Sequence, residues 1–205
     1  MKKIIFSILI LTLFFVNLTS EDQNNVEIII DSNMTFEEAI RGTKAPMEII
    51  DSLTLIDVFY YSFDKKIHKG QLLIHKELAN EVMEIFEMMK VIKFPIETVI
   101  PISAYNWSDK ASMEANNTSS FNYRTIAGTN RLSLHARGRA IDINPRLNPV
   151  VYDDGRIAPE NANYNPKVPG TLHPTHPVVL EFKRLGWRWG GDFKNYKDYH
   201  HFDKE

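Results

Sequence analysis

Ten consecutive residues decide the fold: Ser133-Leu134-His135-Ala136-Arg137-Gly138-Arg139-Ala140-Ile141-Asp142. Gly138 can supply a turn, and Ile141 and Ile143 then alternate with polar or small residues, as in a half-buried strand. With the isoleucines facing the core, Asp142 points to the opposite face beside small Ala140. The turn brings His135 back over this strand, so an imidazole and a carboxylate can converge on one metal ion.

A third ligand must come from elsewhere, and Asp198-Tyr199-His200-His201-Phe202 is the best source. A catalytic zinc ion uses three protein ligands and leaves its fourth position for water, whose acidity it raises. A carboxylate beside that water then takes its proton. Asp198, three residues before His201, can be this general base if both side chains project to the same side of a turn.

The chain has no cysteine, 26 acidic residues and 7 histidines. Thiolate ligands and a thiol nucleophile are therefore excluded, and a metal ion must be held by histidine, carboxylate and water. The formal net charge of -2, with no cluster of basic residues, argues against nucleic-acid binding.

These residues resemble the zinc D-alanyl-D-alanine carboxypeptidase and L-alanyl-D-glutamate peptidase family, the VanY-like group. The family motif Ser-x-His-x-x-Gly-x-Ala-x-Asp is matched by Ser133, His135, Gly138, Ala140 and Asp142, and its later acidic residue and histidine by Asp198 and His201. The resemblance implies zinc ligation by His135, Asp142 and His201, with Asp198 as general base.

Further segments look familiar from the same group, and the similarity covers about residues 70–202. They are Asn116-Asn117-Thr118-Ser119-x-Phe121-Asn122-x-Arg124, Asn144-Pro145 with Asn148-Pro149, and Gly186-Trp187-x-Trp189-Gly190-Gly191-Asp192. The resemblance implies the fold shared by D,D-peptidases and the Hedgehog signalling domain.

The expected activity is zinc-dependent hydrolysis of peptidoglycan stem peptides, with D-alanyl-D-alanine carboxypeptidase as the first hypothesis. An L-alanyl-D-glutamate endopeptidase is the alternative of the same chemistry. A wall-binding module of the same fold without turnover is the alternative of a different class. The acidic residue at position 198 argues against that third hypothesis, because a non-catalytic relative does not need a general base.

By resemblance, Arg124 contacts the substrate and stabilises the oxyanion, a role that suits a permanently charged, planar guanidinium. Asn117, Ser119, Ser133 and Trp189 are also expected at the substrate site, with Ser133 as a supporting hydroxyl and not a nucleophile. Polar loop residues such as Ser119 can equally well satisfy backbone groups. Trp187 and Trp189 alternate, so one is expected in the core and one in the cleft.

The sequence offers two other assignments of histidine ligands. His200 competes with His201, which is preferred because the resemblance places the ligand immediately before an aromatic residue, here Phe202. His173 and His176 lie three residues apart and can form a second metal pair. They are expected to be structural, because His176 precedes a proline at a helix start and no carboxylate follows at suitable spacing.

The coarse pattern predicts an α+β domain: a small antiparallel sheet that carries the zinc, packed with helices. Strands are predicted at residues 53–63, 70–75 and 96–102, with final extended segments at 187–191 and 199–202. Helices are predicted at residues 76–92 and after Thr175, which is expected to cap a helix that has Pro177 in its first turn and ends at Gly186.

The first 20 residues predict a signal peptide, with Lys2-Lys3, an apolar run at 4–16 and a polar stretch at 17–20. The run is shorter than the roughly 20 apolar residues of a membrane span, although an uncleaved anchor is the alternative. Residues 21–45 are predicted to be a polar linker and N-terminal segment, and residues 46–205 the zinc peptidase domain. We therefore expect an exported protein, periplasmic or extracellular and associated with the cell wall, without a stable membrane span after signal removal.

Overall fold

A computed structural model describes residues 27–205. The predicted signal peptide and the first residues of the predicted linker lie outside this range. Within it, no helix combines the length and the apolar character that crossing a membrane requires. The described chain mixes short helices with small sheets, consistent with the predicted α+β class.

The strands are short except for one hairpin. They are β1 (Ile28–Ile30), β2 (Leu53–Tyr61), β3 (Ile67–His75), β4 (Thr98–Val99), β5 (Asn117–Thr118), β6 (Ala140–Asp142), β7 (Val150–Tyr152), β8 (Ile157–Ala158), β9 (Arg188–Trp189), β10 (Tyr196–Asp198) and β11 (His201–Asp203). The helices are α1 (Phe36–Ile40), α2 (Met47–Ile50), α3 (Ala79–Val91), α4 (Asp109–Glu114) and α5 (Pro177–Arg184).

The β2–β3 hairpin forms the first sheet, in the order β1-β3-β2. Its two long strands pair antiparallel along their whole length, from Leu53 opposite His75 to Tyr61 opposite Ile67. β1 adds to the other side of β3 in parallel. Alternating apolar residues on this sheet, such as Ile56, Val58 and Ile74, are buried, as expected for a sheet with one face on the core.

The main core lies between this sheet and α3. That helix buries Val82, Ile85, Phe86 and Met89 at helical spacing, because those positions fall on one face. The same buried cluster extends to α5 and to the isoleucines of the motif, Ile141 and Ile143, both fully buried. The two isoleucines therefore face the core, as their alternation predicts.

A second sheet, in the order β6-β11-β9, carries the candidate metal ligands. β11 pairs antiparallel with both neighbours. A third sheet has the order β10-β7-β8, and its strands alternate in the sequence with those of the second sheet. Asp198 is the last residue of β10. The antiparallel sheet expected around the site is thus present, although it is built from strands of only two or three residues.

Three details differ from the predictions. Residues 28–40 do not form a linker: β1 pairs with β3, and α1 begins at a capping box made by Thr35 and Glu38. The strand predicted at 96–102 is reduced to Thr98–Val99, because a 3-10 helix starts directly after Pro101. The cap of α5 is His176 and not Thr175, since the His176 imidazole accepts the N–H of Val178.

Candidate metal centre

β6 and β11 bring two of the candidate ligands face to face. Asp142 and His201 are direct partners in the antiparallel register, so their side chains project from the same face of the sheet. The Nδ1 atom of His201 lies 2.9 Å from Oδ1 of Asp142. The pairing of these two strands therefore fixes the relative position of the two side chains.

His135 reaches the same point from a 3-10 turn at Leu134–Arg137. The Ser133 hydroxyl caps this turn by accepting the backbone N–H of His135 at 3.2 Å. Gly138 ends the turn with a φ of +63°, and a Cβ there would press against the backbone of His75 and the side chain of Leu53. Ser133 and Gly138 of the motif therefore both have a structural role, because together they shape the turn that brings His135 over β6.

Three donor atoms converge: Nε2 of His135, Oδ1 of Asp142 and Nδ1 of His201. The His135 nitrogen lies 3.2 Å from the Asp142 oxygen and 3.1 Å from the His201 nitrogen. The three residues offer ligand atoms that all lie within 4.8 Å of one another. Two imidazoles and a carboxylate are a donor set that zinc accepts, so this group can hold a metal ion.

The remaining ring nitrogens explain why the donors face inward. Nδ1 of His135 donates to the carbonyl oxygen of Ser120 at 2.6 Å, which leaves Nε2 for a ligand. Nε2 of His201 lies 3.0 Å from Oδ2 of Asp203, which leaves Nδ1. Partners of this kind fix the tautomer and the ring orientation of histidine ligands, so the residues present fit a metal ion.

Charges within the group are strongly coupled. Burial acts to raise the pKa of Asp142, but the neighbouring His135 and His200 outweigh it and hold that pKa well below its usual range. Burial likewise acts to lower the pKa of His201, but its hydrogen bonds with Asp142 and Asp203 raise it to about 10. A buried carboxylate that stays ionised suits a cation site.

The sequence interpretation missed Asp203. This buried carboxylate contacts His201 and also forms a two-point ion pair with Arg188, at 2.6 and 3.0 Å. The signal was available, because residues two apart on a strand share a face and Asp203 is two residues after His201. Its buried contact with His201 makes it an orienting partner of a candidate ligand.

His200, the rival ligand, takes a different position. Its Nδ1 donates to the carbonyl of Asn148 at 2.7 Å, and its Nε2 lies 3.0 Å from Oδ1 of Asp198. Burial acts to lower the pKa of His200, but the charges of Asp198 and Asp142 raise it to about 9. The structure thus brings His201, and not His200, into the convergent donor set.

Asp198 stands beside this group at the end of β10, opposite Val150 of β7. Its side chain is 16% exposed, so solvent reaches a carboxylate that is otherwise enclosed. Gly190 packs against it, and a Cβ at position 190 would lie 2.8 Å from the Cβ of Asp198. The glycine therefore makes room for the carboxylate that the sequence predicts as general base.

A family model described as D-alanyl-D-alanine carboxypeptidase matches residues 127–204. The resemblance to the VanY-like family is confirmed. The matched segment contains the three convergent ligands and Asp198, and it supports a metallopeptidase. No curated protein and no solved structure matches the chain.

Arg124 precedes the segment that matches the VanY-like model. Its backbone carbonyl accepts the N–H of Ser133 at 3.1 Å, which places it beside the motif. Its Nε lies 2.8 Å from Oδ2 of Asp109, and about a third of its side chain is exposed. Asn122 donates to the other oxygen of Asp109, so this carboxylate ties the guanidinium to the loop.

The other expected substrate residues are largely enclosed. Asn117 is fully buried, and its amide bonds to Thr98, Ser112 and the backbone of Ile100. Ser119 is buried where its backbone bridges to Asp142. The side chain of Asn117 therefore ties β5 to the β4 segment and to α4.

Both tryptophans are buried, so the expected division between core and cleft does not hold. Trp187 is 3% exposed and Trp189 is 1% exposed. The Trp189 indole donates to the carbonyl of Tyr199 at 3.0 Å. It thereby supports the segment that leads into His200 and His201, and it has almost no surface to offer a peptide.

The pair His173 and His176 lies outside the VanY-like ligand set. The two rings meet edge to face at 5.2 Å, and His176 caps α5. Burial, with a smaller contribution from His173, lowers the pKa of His176 to about 4. A neutral imidazole that accepts a backbone N–H serves the helix end, which agrees with the structural role expected for this pair.

Proposed function

We propose that this protein is a zinc-dependent hydrolase of peptidoglycan stem peptides, acting first as a D-alanyl-D-alanine carboxypeptidase. The observation that carries the proposal is the convergence of His135, Asp142 and His201 inside the segment that matches the carboxypeptidase family model. Zinc, when bound there, supplies a Lewis acid that polarises the scissile carbonyl and makes a water molecule more acidic.

In this mechanism Asp198 is the general base. Its carboxylate removes a proton from the attacking water and delivers that proton to the leaving amine. The position of Asp198 beside the buried group, with part of its side chain open to solvent, supports this role. A catalytic base must reach the reacting water while its partners hold it still.

Arg124 stabilises the negative charge that develops on the carbonyl oxygen. A guanidinium remains charged through the pH range of catalysis and donates in a plane. Ser133 supports the site through the turn that it caps, and Ser119 does so through its bridge to Asp142. The role of Arg124 is the one that the resemblance to the VanY-like family implies.

We further propose that residues 46–205 form the core of a domain with the fold of D,D-peptidases and the Hedgehog signalling domain. The substrate lies in the cell wall, so the protein acts in the periplasm or outside the cell. The predicted signal peptide agrees with that location.

The decisive experiment is mass analysis of defined wall peptides after incubation with the purified protein, with and without a chelator. Release of a single D-alanine, abolished by the chelator and restored by zinc, is the expected result. A split between L-alanine and D-glutamate would instead assign the endopeptidase. Metal-loaded protein that binds wall fragments but releases no product would make it a wall-binding module.

A further inference from the structure

We propose that His200 is a positioning residue that holds the carboxylate of Asp198 in place for proton transfer. The inference rests on the proposed function, in which Asp198 is the general base. His200 is neither one of the convergent ligands nor free at the surface: its side chain is 4% exposed and wedged between two acceptors.

The two ring nitrogens of His200 have separate tasks. Nδ1 donates to the carbonyl oxygen of Asn148 at 2.7 Å, since a carbonyl can only accept. Nε2 faces Oδ1 of Asp198 at 3.0 Å, the distance of an ion pair, and this buried oxygen has no hydrogen-bond partner among the described residues. The imidazole therefore bridges the Asn148 backbone to the Asp198 side chain.

Asn148 makes the far end of this bridge rigid. It is fully buried, its amide nitrogen donates to the carbonyls of Ile143 and Gly170, and its amide oxygen accepts the N–H of Leu172. Because these side-chain contacts hold Asn148 in place, its backbone carbonyl is a fixed acceptor for the His200 imidazole. The position of His200 thus follows from the Asn-Pro segment after β6.

The near end of the bridge lies between the base and a ligand. Nε2 of His200 is 3.0 Å from Asp198 and 3.9 Å from Oδ2 of Asp142. The terminal torsion of a carboxylate is otherwise broad. Holding Oδ1 of Asp198 fixes that torsion and leaves its second oxygen for the proton of the attacking water.

Three substitutions separate this role from a purely structural one. His200→Ala removes both contacts, His200→Gln can keep a donor near the Nε2 position, and His200→Asn can keep a donor near the Nδ1 position. We expect His200→Ala to lower kcat by about 10- to 100-fold, the usual effect of losing an outer partner, with KM and zinc content near wild type. His200→Gln should recover most of kcat, and His200→Asn should not.

A second series tests whether His200 acts through Asp198. In the Asp198→Ala background, His200→Ala should cause no further loss of kcat, because the contact is already gone. Equal losses in both backgrounds would overturn the proposal, as would recovery by Asn equal to that by Gln. His68→Ala is the matched control: His68 is also buried between two acceptors of which Asp31 lies at 2.7 Å, and its loss should leave kcat unchanged.

A spectroscopic measurement makes the contact testable without turnover. In NMR spectra of the zinc-loaded protein, the His200 Nε2 proton should be a slowly exchanging downfield signal that shifts upfield or disappears in Asp198→Ala. An unchanged signal overturns the positioning contact, whatever the activity. If wild type cleaves no wall peptide but the signal responds, the proposed function fails while the contact stands, so the two failures are distinguishable.

Discussion

Two groups of histidine and aspartate, one in each half of the described chain, use the same residue types for different purposes. In the first sheet, His68 lies between Asp31 at 2.7 Å and Asp64 at 3.2 Å. Asp31 also accepts the hydroxyl of Tyr60. At the second sheet, His201 of β11 and His135 of the 3-10 turn share the carboxylate of Asp142.

The difference lies in where the second ring nitrogen points. Both nitrogens of His68 face separate carboxylates, so the first group closes on itself and ties β1 to β3. His135 and His201, the candidate histidine ligands, each use one ring nitrogen on an outer acceptor and turn the other toward a common point. Burial and acidic neighbours alone do not distinguish a metal centre from a structural clamp, whereas the direction of the free nitrogen does.

The largest expected effect comes from removing one histidine from each group. His135→Ala should lose bound zinc and with it essentially all hydrolysis, because two protein ligands remain. His68→Ala should keep both, while losing about 1–3 kcal/mol of unfolding free energy because the partly buried carboxylate of Asp31 loses a hydrogen-bond partner. Elemental analysis, peptide hydrolysis and urea unfolding measure the three quantities. A zinc-free His68→Ala protein would contradict the comparison.

A smaller effect is expected at the base. Asp198→Asn removes the proton acceptor and retains the shape, so kcat should fall by about 100- to 10,000-fold, the range for general acid–base catalysis. Zinc content should remain at the wild-type level, because Asp198 is outside the ligand set. A fully active variant, or one that has lost its metal, would show that the role is misassigned.

Two glycines extend the comparison to packing. A Cβ at Gly190 would lie 2.8 Å from the Cβ of Asp198, and one at Gly70 would lie 2.6 Å from the Cβ of Val99. Gly190→Ala should shift the base and lower kcat by about 100-fold, the effect of a small misplacement. Gly70→Ala should instead cost about 1–3 kcal/mol of stability through overpacking. Kinetics and thermal unfolding of both variants test this, and the prediction fails if kcat falls equally in the two.

A smaller effect concerns the protons released when zinc binds. With its pKa raised to about 10, His201 is protonated at pH 7.5, and a ligand imidazole must be neutral. Zinc binding should therefore release about one proton from His201, and the apparent affinity should rise with pH. Calorimetry in buffers of different ionisation heat measures the release. Binding without proton release would contradict the pairing of His201 with Asp142 and Asp203.

The same pKa values give a sign for stability. His200 and His201 have pKa values of about 9 and about 10, above the usual 6.5. Their pairing with nearby carboxylates therefore stabilises the metal-free protein fully below about pH 6.5. That contribution is lost as the pH rises through 9 and 10. Melting temperatures of chelator-treated protein should fall across that range, whereas zinc-loaded protein should change less.

Local patterns in the sequence predicted much of the first half. The hairpin strands and the main helix at residues 79–91 follow from periodicity, because their apolar faces are continuous. β1 was missed because its three residues are defined by pairing with Ile67–Lys69, almost 40 positions away. The strand expected at 96–102 is short because the chain turns into a 3-10 helix after Pro101.

At the site, the motif predicted which residues come together, whereas the strand register determines which of the two adjacent histidines joins them. His200 and His201 are adjacent in sequence, and only the pairing of β11 with β6 sets one of them opposite Asp142. Asp203 and Asn148 were missed as supporting residues because their contacts depend on where strands and turns meet. Burial of Trp189 and Asn117 likewise depends on tertiary packing that single-residue patterns do not carry.

The Asp142–His201 register also has a consequence for the timing of synthesis. His201 follows Asp142 by 59 positions. A growing chain that has just formed the motif turn therefore contains only two of the three candidate ligands. The ribosome must add the intervening segments, and β11 must pair with β6, before the third donor, the imidazole of His201, arrives. The donor set is therefore complete only when β11 has paired with β6, and under the proposed function a nascent chain is inactive until then.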